Sequence, residues 1–108
     1  MKVEKIIDSK NFSLLYYPDK KIIHHKFHYY VYGETLHKYL NAGIKIMKDH
    51  GATKWLSDDR NNPTLSPEDI QYGKEVWGPA AKEAGWKYWA IILPESIVGK
   101  SSLAQFYS

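Results

Sequence analysis

The sequence predicts one small α/β domain built on a mixed sheet of four strands. Two β-prone runs near the amino end are joined by the turn residues Pro18-Asp19-Lys20-Lys21, which is typical of an antiparallel hairpin. Helical and β-prone segments then alternate, which favours parallel strands joined by right-handed crossovers. A chain of 108 residues with 44% hydrophobic content suits a single core, so residues 1–108 are expected to form one domain.

The predicted hairpin consists of residues Phe12–Tyr17 and Ile22–Tyr32. Strand side chains alternate between the two faces of a sheet. In the second run, the odd-numbered residues are the more apolar set and are expected to face the core: Ile23, His25, Phe27, Tyr29 and Val31.

A first amphipathic helix is predicted over Glu34–His50. Gly51 follows as a residue suited to the left-handed conformation that ends helices. A short strand, Thr53–Ser57, and a polar loop, Asp58–Pro63, come next. Charged residues of this loop therefore lie at the carboxyl end of the strand.

The second helix has the sharpest start signal in the sequence. Ser66 can cap it, Pro67 suits its first position, and the acidic residues Glu68 and Asp69 favour the positive end of the helix dipole. Gly78-Pro79 is expected to kink or divide this helix, because proline has no amide hydrogen to donate. Gly85 ends it.

The segment Trp86–Leu93, near-continuously apolar from Trp89 onward, predicts a parallel strand buried on both faces, and Val98–Phe106 predicts a final short helix. The expected core combines apolar positions from all of these elements: Phe27, Tyr29, Leu36, Leu40, Met47, Leu56, Ile70, Trp77, Ala90 and Ile92.

Composition excludes several kinds of chemistry. The absence of cysteine removes disulfides, thiolate nucleophiles, iron–sulfur clusters and cysteine-type zinc sites, and no cofactor is expected. The net charge is +3, the lysines are scattered and the sole arginine is Arg60, so nucleic acid is not an expected partner. The apolar run Ala90 to Leu93 is too short for a membrane span, and Met1–Asp8 lacks the pattern of a signal peptide. A cytoplasmic location is expected.

Asp58, Asp59 and Arg60 form one candidate site, because ligands of open α/β sheets bind outside the carboxyl ends of strands. Two adjacent carboxylates could hold a cation or provide a general base. Adjacent residues on a strand also point in opposite directions. The favoured interpretation is that one aspartate caps the loop or pairs with Arg60, while the other is solvated.

The aromatic residues around the second helix and the last strand form another candidate: Tyr72, Trp77, Trp86, Tyr88 and Trp89. Such a density can line an apolar groove or a protein interface, or it can fill the core of a small domain. We expect Ser66, Tyr72 and Trp77 to border a functional surface together with the loop that begins at Asp58. The competing explanation is structural: Ser66 caps a helix and Trp77 fills the core.

Four segments together resemble bacterial STAS-like proteins of the SpoIIAA-like fold: Trp55-Leu56-Ser57-Asp58-Asp59-Arg60, Leu65-Ser66-Pro67-Glu68-Asp69, Trp77-Gly78-Pro79-Ala80-Ala81 and Ala84-Gly85-Trp86-Lys87-Tyr88-Trp89-Ala90. The resemblance covers most of the chain and implies binding or regulation without enzyme activity. Proteins of this type usually continue with another strand and helix, so the chain is expected to be a shortened form. The phosphorylatable Asp-Ser-Ser-Gly type motif of anti-sigma-factor antagonists is absent.

The expected function is therefore a non-enzymatic regulatory or protein-interaction domain. The expected partner is a protein, and an open sheet edge would also allow pairing with a second copy. The alternative function is binding of a small apolar ligand or lipid through an aromatic-lined groove.

Overall fold

The computed structural model describes residues 2–61 and 65–92, and it confirms the α/β class. Its mixed sheet has five strands, whose order in the sheet is their order in the chain. The first two pairings are antiparallel and the last two are parallel. The strands are β1 (Glu4–Asp8), β2 (Phe12–Tyr17), β3 (Ile22–Phe27), β4 (Lys54–Asp58) and β5 (Tyr88–Ile92).

The prediction of four strands was wrong, because β1 had no recognisable strand pattern. Its charged residues do not alternate regularly with its two isoleucines. The strand forms through backbone pairing with β2, and its register shifts between Lys5 and Ile7. The backbone ladder and the half-buried Ile6 and Ile7 hold it in place.

Two helical regions follow the predicted order. Helix α1 is Gly33–His50, and Gly51 ends it in the left-handed conformation at φ 68°. The second region comprises α2 (Pro67–Tyr72), a π-helical turn (Gly73–Trp77) and α3 (Gly78–Glu83). The helix was predicted to kink or divide near Pro79. This division is the π-helical turn that precedes Pro79, in which the N–H of Gly78 donates a hydrogen bond to the C=O of Gly73.

The second helical region turns one stripe of residues inward. Its buried positions recur at every fourth residue, at Asp69, Gly73, Trp77 and Ala81. Trp77 packs edge-on against Trp55 of β4, with the ring centroids 5.1 Å apart. This region therefore lies on the side of the sheet to which Trp55 points.

Helix α1 packs on the same side. A Cβ atom placed on Gly43 would lie 2.1 Å from Cη2 of Trp55, so only glycine lets the helix approach the indole this closely. We call this side the helix face and the other side the open face, since neither α1 nor the second helical region covers it. The core lies on the helix face and includes Phe12, Leu14, Tyr16, Ile23, Phe27, Leu36, Leu40, Met47, Trp55 and Trp77.

Several predicted core positions are corrected. β3 ends at Phe27 because the N–H of His28 bonds to the C=O of Asn11, and Tyr29 beyond it is 56% exposed. Leu56 and Ile70 are only half-buried. The other predictions hold for Phe27, Leu36, Leu40, Met47 and Trp77.

β5 is not buried on both faces, and its burial pattern is mostly exposed. Ala90 and Ile92 lie on the open face, because they pair with Leu56 and Asp58 of β4. The prediction assumed that β5 is covered on both faces. Both helical regions lie on the helix face, so neither of them covers β5 on the open face. The predicted helix Val98–Phe106 and the end of the predicted strand at Leu93 fall outside the described residues.

Candidate functional site

Asp58 and Arg60 form a paired unit at the carboxyl end of β4. Arg60 donates from Nε at 2.9 Å and from Nη2 at 2.8 Å to the two carboxylate oxygens of Asp58. These hydrogen bonds from Arg60 hold the pKa of the Asp58 carboxyl below its ordinary value, against the opposing effect of burial. The expectation that one aspartate pairs with Arg60 is confirmed.

Asp59 points the other way, into the interior. The prediction that the second aspartate is solvated was therefore wrong. Its Oδ1 lies 2.6 Å from Nε2 of His25, and both side chains are 0% exposed. Trp55 donates from Nε1 to Nδ1 of His25 at 2.8 Å. An Nδ1 that accepts a hydrogen bond carries no proton, so His25 is the neutral tautomer that donates from Nε2 to Asp59. The other carboxylate oxygen, Oδ2, is buried without a hydrogen-bond partner.

Ser66 caps the second helical region as predicted. Its Oγ accepts a hydrogen bond from Asp69 N–H at 3.1 Å. The buried Asp69 carboxylate in turn accepts from Gly33 N–H at 3.1 Å and lies 2.8 Å from His37 Nε2. Asp69 therefore ties the start of α1 to the start of α2.

Tyr72 and Trp77 lie on different sides of the second helical region. The Tyr72 ring stacks on His37 with centroids 3.6 Å apart, and its hydroxyl accepts from Asn41 Nδ2 at 2.7 Å. Trp77 is 1% exposed and donates from Nε1 to Leu40 C=O at 3.1 Å. Trp77 thus fills the core, as the structural explanation proposed.

The six predicted site residues do not converge on one surface. Asp58 and Arg60 lie together at the end of β4, whereas Asp59 and Trp77 are interior residues. Ser66 and Tyr72 belong to the junction between the two helical regions. Each has a structural contact of its own, and a binding role for the set stays a prediction.

An apolar concavity lies elsewhere, at the amino ends of the three parallel strands. Its volume is about 350 Å³. Ile22, Lys54 and Tyr88, each the first residue of its strand, stand side by side in register. Its lining residues are Ile22, Lys54, Trp55, Leu56, Tyr88, Trp89 and Ala90. Tyr88 and Trp89 belong to the predicted aromatic groove, but Tyr72, Trp77 and Trp86 do not line this concavity.

His24 lies on the open face, beside Leu56 in register. Its Nδ1 is 3.1 Å from the Tyr17 hydroxyl, and its Nε2 is buried without a hydrogen-bond partner. Burial lowers the pKa of His24, the positive charge of Lys26 adds to this effect, and Asp58 opposes it.

Sequence reasoning missed His25, His37 and the concavity. Alternation had placed His25 on the core face, but no local pattern links it to Asp59, 34 residues further along the chain. No residue pattern marks His37 either, yet it contacts Asp69 and Tyr72. The concavity arises from the register of three strands, which residue types alone do not specify.

Comparison with known proteins gave no significant match to a family model, a curated protein or a solved structure. Over residues 2–61 and 65–92, no group of three or more histidine or acidic side chains is placed to hold a metal ion. The helices in these ranges are too short or too polar to cross a membrane.

Proposed function

We propose that this chain is a non-enzymatic protein-interaction domain that binds its partner through β5 and the adjoining apolar concavity. The observation that carries the proposal is the uncharged sequence Tyr88-Trp89-Ala90-Ile91-Ile92 at the edge of the described sheet, in which every residue except the half-buried Ile91 is exposed. Exposed apolar surface of this kind is typical of interaction sites. The concavity gives the surface a depression into which an apolar side chain of a partner can insert.

The non-enzymatic part of the proposal is supported by what the polar candidates already contact. Asp58 is held by Arg60, and Asp59 by His25. Ser66 and Asp69 are engaged in the cap and in the link to α1. These groups stabilise the fold, and none of the pairs combines an exposed nucleophile with a base.

The resemblance to STAS-like proteins supports the same proposal, since that family is regulatory. The chain would then act as a cytoplasmic bacterial domain whose binding to another protein regulates that protein. The motif for a phosphorylation switch is absent from the sequence, so control would come from partner binding itself.

Capture of partners with three versions of the chain tests this proposal. Tyr88 is 63% exposed in the concavity, and Tyr32 is 62% exposed at the start of α1. The wild type, Tyr88→Glu and the matched control Tyr32→Glu would be used as bait in lysate of the source cells. We expect a protein that the wild type and Tyr32→Glu enrich at least tenfold over Tyr88→Glu. Equal enrichment by all three baits would reject the surface.

A second candidate function is binding of a small apolar ligand or lipid. The concavity of about 350 Å³ falls within the range of about 300–1,000 Å³ usual for small-molecule sites. Native mass spectrometry of the gently purified chain would detect such a ligand as a discrete added mass. Loss of that mass in Tyr88→Glu, but not in Tyr32→Glu, would favour this candidate over the first.

A further inference from the structure

Four exposed lysines lie at the edge of the sheet where the apolar concavity is found. The strands β3, β4 and β5 begin there side by side, at Ile22, Lys54 and Tyr88. Neighbouring strands are about 4.8 Å apart, so the three strand starts span about 10 Å. The exposed lysines at these starts, or within two residues before them, are Lys20, Lys21, Lys54 and Lys87. We call these four residues the lysine edge.

The lysine edge carries a net positive charge. Asp19 is the one acidic residue within three chain positions of any of the four lysines. Asp49, near the end of α1, is already paired with Lys45. In the part of the chain that the structure describes, none of the four lysines forms an ion pair. Their spacing is close to the Debye length of about 10 Å at moderate salt, so their charges act together on a nearby anion.

Lys54 joins this positive charge to the concavity. Its side chain is part of the lining, and the other lining residues are aliphatic or aromatic. Its Nζ donates to the C=O of Lys20 at 3.3 Å, which uses one of the three N–H donors of the ammonium. A group that fills the concavity therefore meets apolar surface within it and a cation at its border.

We propose that the partner protein contributes an extended segment in which an apolar side chain fills the concavity and neighbouring acidic residues contact the lysine edge. This rests on the proposed function, because it states the chemistry of the partner at the same surface. Apolar burial alone accepts many side chains, whereas complementary charge selects among the segments that carry them. The chemistry of the surface therefore points to an acidic, apolar segment.

The spread of the lysines favours a polypeptide over a small amphipathic carboxylate. A single carboxylate contacts only the cations next to it, whereas several acidic side chains can follow the whole lysine edge. An extended chain advances about 3.3 Å per residue, so about three residues span the edge of about 10 Å. The partner segment should therefore carry two or more aspartate or glutamate residues within about three positions of its apolar anchor.

Selection from a phage-displayed library of random peptides tests this charge preference. The wild type should enrich peptides that combine an aromatic or aliphatic residue with net negative charge. Lys54→Glu/Lys87→Glu should instead enrich peptides that contain lysine or arginine, because acidic side chains then border the concavity. The control Lys38→Glu/Lys74→Glu changes the charge of the chain equally, at exposed positions of the two helical regions, and should keep the acidic preference.

Titration of one acidic peptide from the wild-type selection measures the effect of the charges. Lys54→Glu/Lys87→Glu should bind it about tenfold more weakly, because two attractive contacts become repulsive. The neutral variant Lys54→Gln/Lys87→Gln should fall between this variant and the wild type, and the control should bind like the wild type. Replacing the acidic residues of the peptide by asparagine and glutamine should weaken its binding to the wild type. Added salt should reduce these differences.

Three results of the selection would overturn the proposal: no enriched peptide, peptides without net negative charge, or an unchanged acidic preference in Lys54→Glu/Lys87→Glu. Binding of sodium octanoate without enrichment of acidic peptides would overturn it in favour of a small carboxylate. The variant Tyr88→Ala removes apolar surface without adding charge. Uncharged peptides that Tyr88→Ala no longer binds would leave the proposed function intact and sink only the acidic partner. Peptides that Tyr88→Ala binds as well as the wild type does would count against both, so the two failures are distinguishable.

Discussion

The imidazole of His25 and the carboxylate of Asp59 meet in the interior of the protein at 2.6 Å, with no exposed surface on either side chain. Trp55 fixes the direction of this contact, because its indole N–H occupies the other ring nitrogen of His25. The chain of donors and acceptors therefore runs from Trp55 through His25 to Asp59. It fastens the loop after β4 to the middle of β3.

Asp59→Ala is expected to destabilise the fold by about 1–3 kcal/mol, because it leaves the buried N–H of His25 without an acceptor. Asp59→Asn should cost less, since its side-chain oxygen can still accept. Denaturant unfolding measures both. The matched control Asp49→Ala removes an exposed carboxylate paired with Lys45, and its effect should stay within about 0.5 kcal/mol. Equal effects of Asp59→Ala and Asp49→Ala would contradict the structural role of the buried contact.

Gly43→Ala is expected to lower the free energy of unfolding by about 1–3 kcal/mol, the usual cost of an overpacked core. The added methyl group would collide with the buried indole of Trp55, and this clash outweighs the better helix propensity of alanine. A double-mutant cycle with Trp55→Phe, followed by denaturant unfolding, isolates the clash. Gly43→Ala should cost less in the Trp55→Phe background. An undiminished cost there would mean that the indole is not the obstacle.

His24 is expected to make the fold less stable in mild acid. Burial holds the pKa of His24 below the ordinary value of about 6.5, so the unfolded chain takes up this proton at higher pH than the folded chain does. Its contribution is fully present above about pH 6.5 and is lost as the pH falls through the folded value. Urea unfolding between about pH 7.5 and pH 5, compared with His24→Gln, measures the difference. Parallel profiles for the two proteins would argue against this assignment.

Arg60→Ala is expected to raise the pKa of Asp58 toward its ordinary value, because the arginine hydrogen bonds are the main cause of its lowering. Stability that Asp58 contributes above about pH 3.9, and that disappears as the pH falls through its folded pKa, should shrink accordingly. A carbon-detected NMR titration of the Asp58 carboxyl follows the change. Lys26→Ala serves as the control and should move this pKa less, since Lys26 acts only through its charge. A larger shift in Lys26→Ala would contradict the assignment.

Local signals in the sequence predicted the parts of the fold that local physics determines. The Ser66 cap, the helix end at Gly51 and the hairpin between β2 and β3 were all recognisable from residue types at short spacing. The burial of Leu36, Leu40 and Met47 followed from helical periodicity.

What could not be predicted depends on contacts between distant segments. β1 is a strand because β2 offers it a backbone ladder, not because its own pattern requires one. Asp59 looked like half of an exposed pair, and only the position of His25 on the neighbouring strand draws it inside. Likewise, the apolar residues of β5 predicted burial on both faces, whereas both helical regions lie on one side of the sheet.

The π-helical turn Gly73–Trp77 determines which residues of the second helical region face the interior. The buried positions Asp69, Gly73, Trp77 and Ala81 repeat every four residues. In a regular α-helix, a four-residue step overshoots a full rotation by about 40°, so this series would fan out over about 120° of the helix surface. The wider turn takes up the excess rotation midway and keeps the series in one narrow line. Deleting one residue from this turn would remove about 100° of rotation, which is the excess that the wider turn absorbs, so the region would become a regular α-helix with Ala81 still facing the interior.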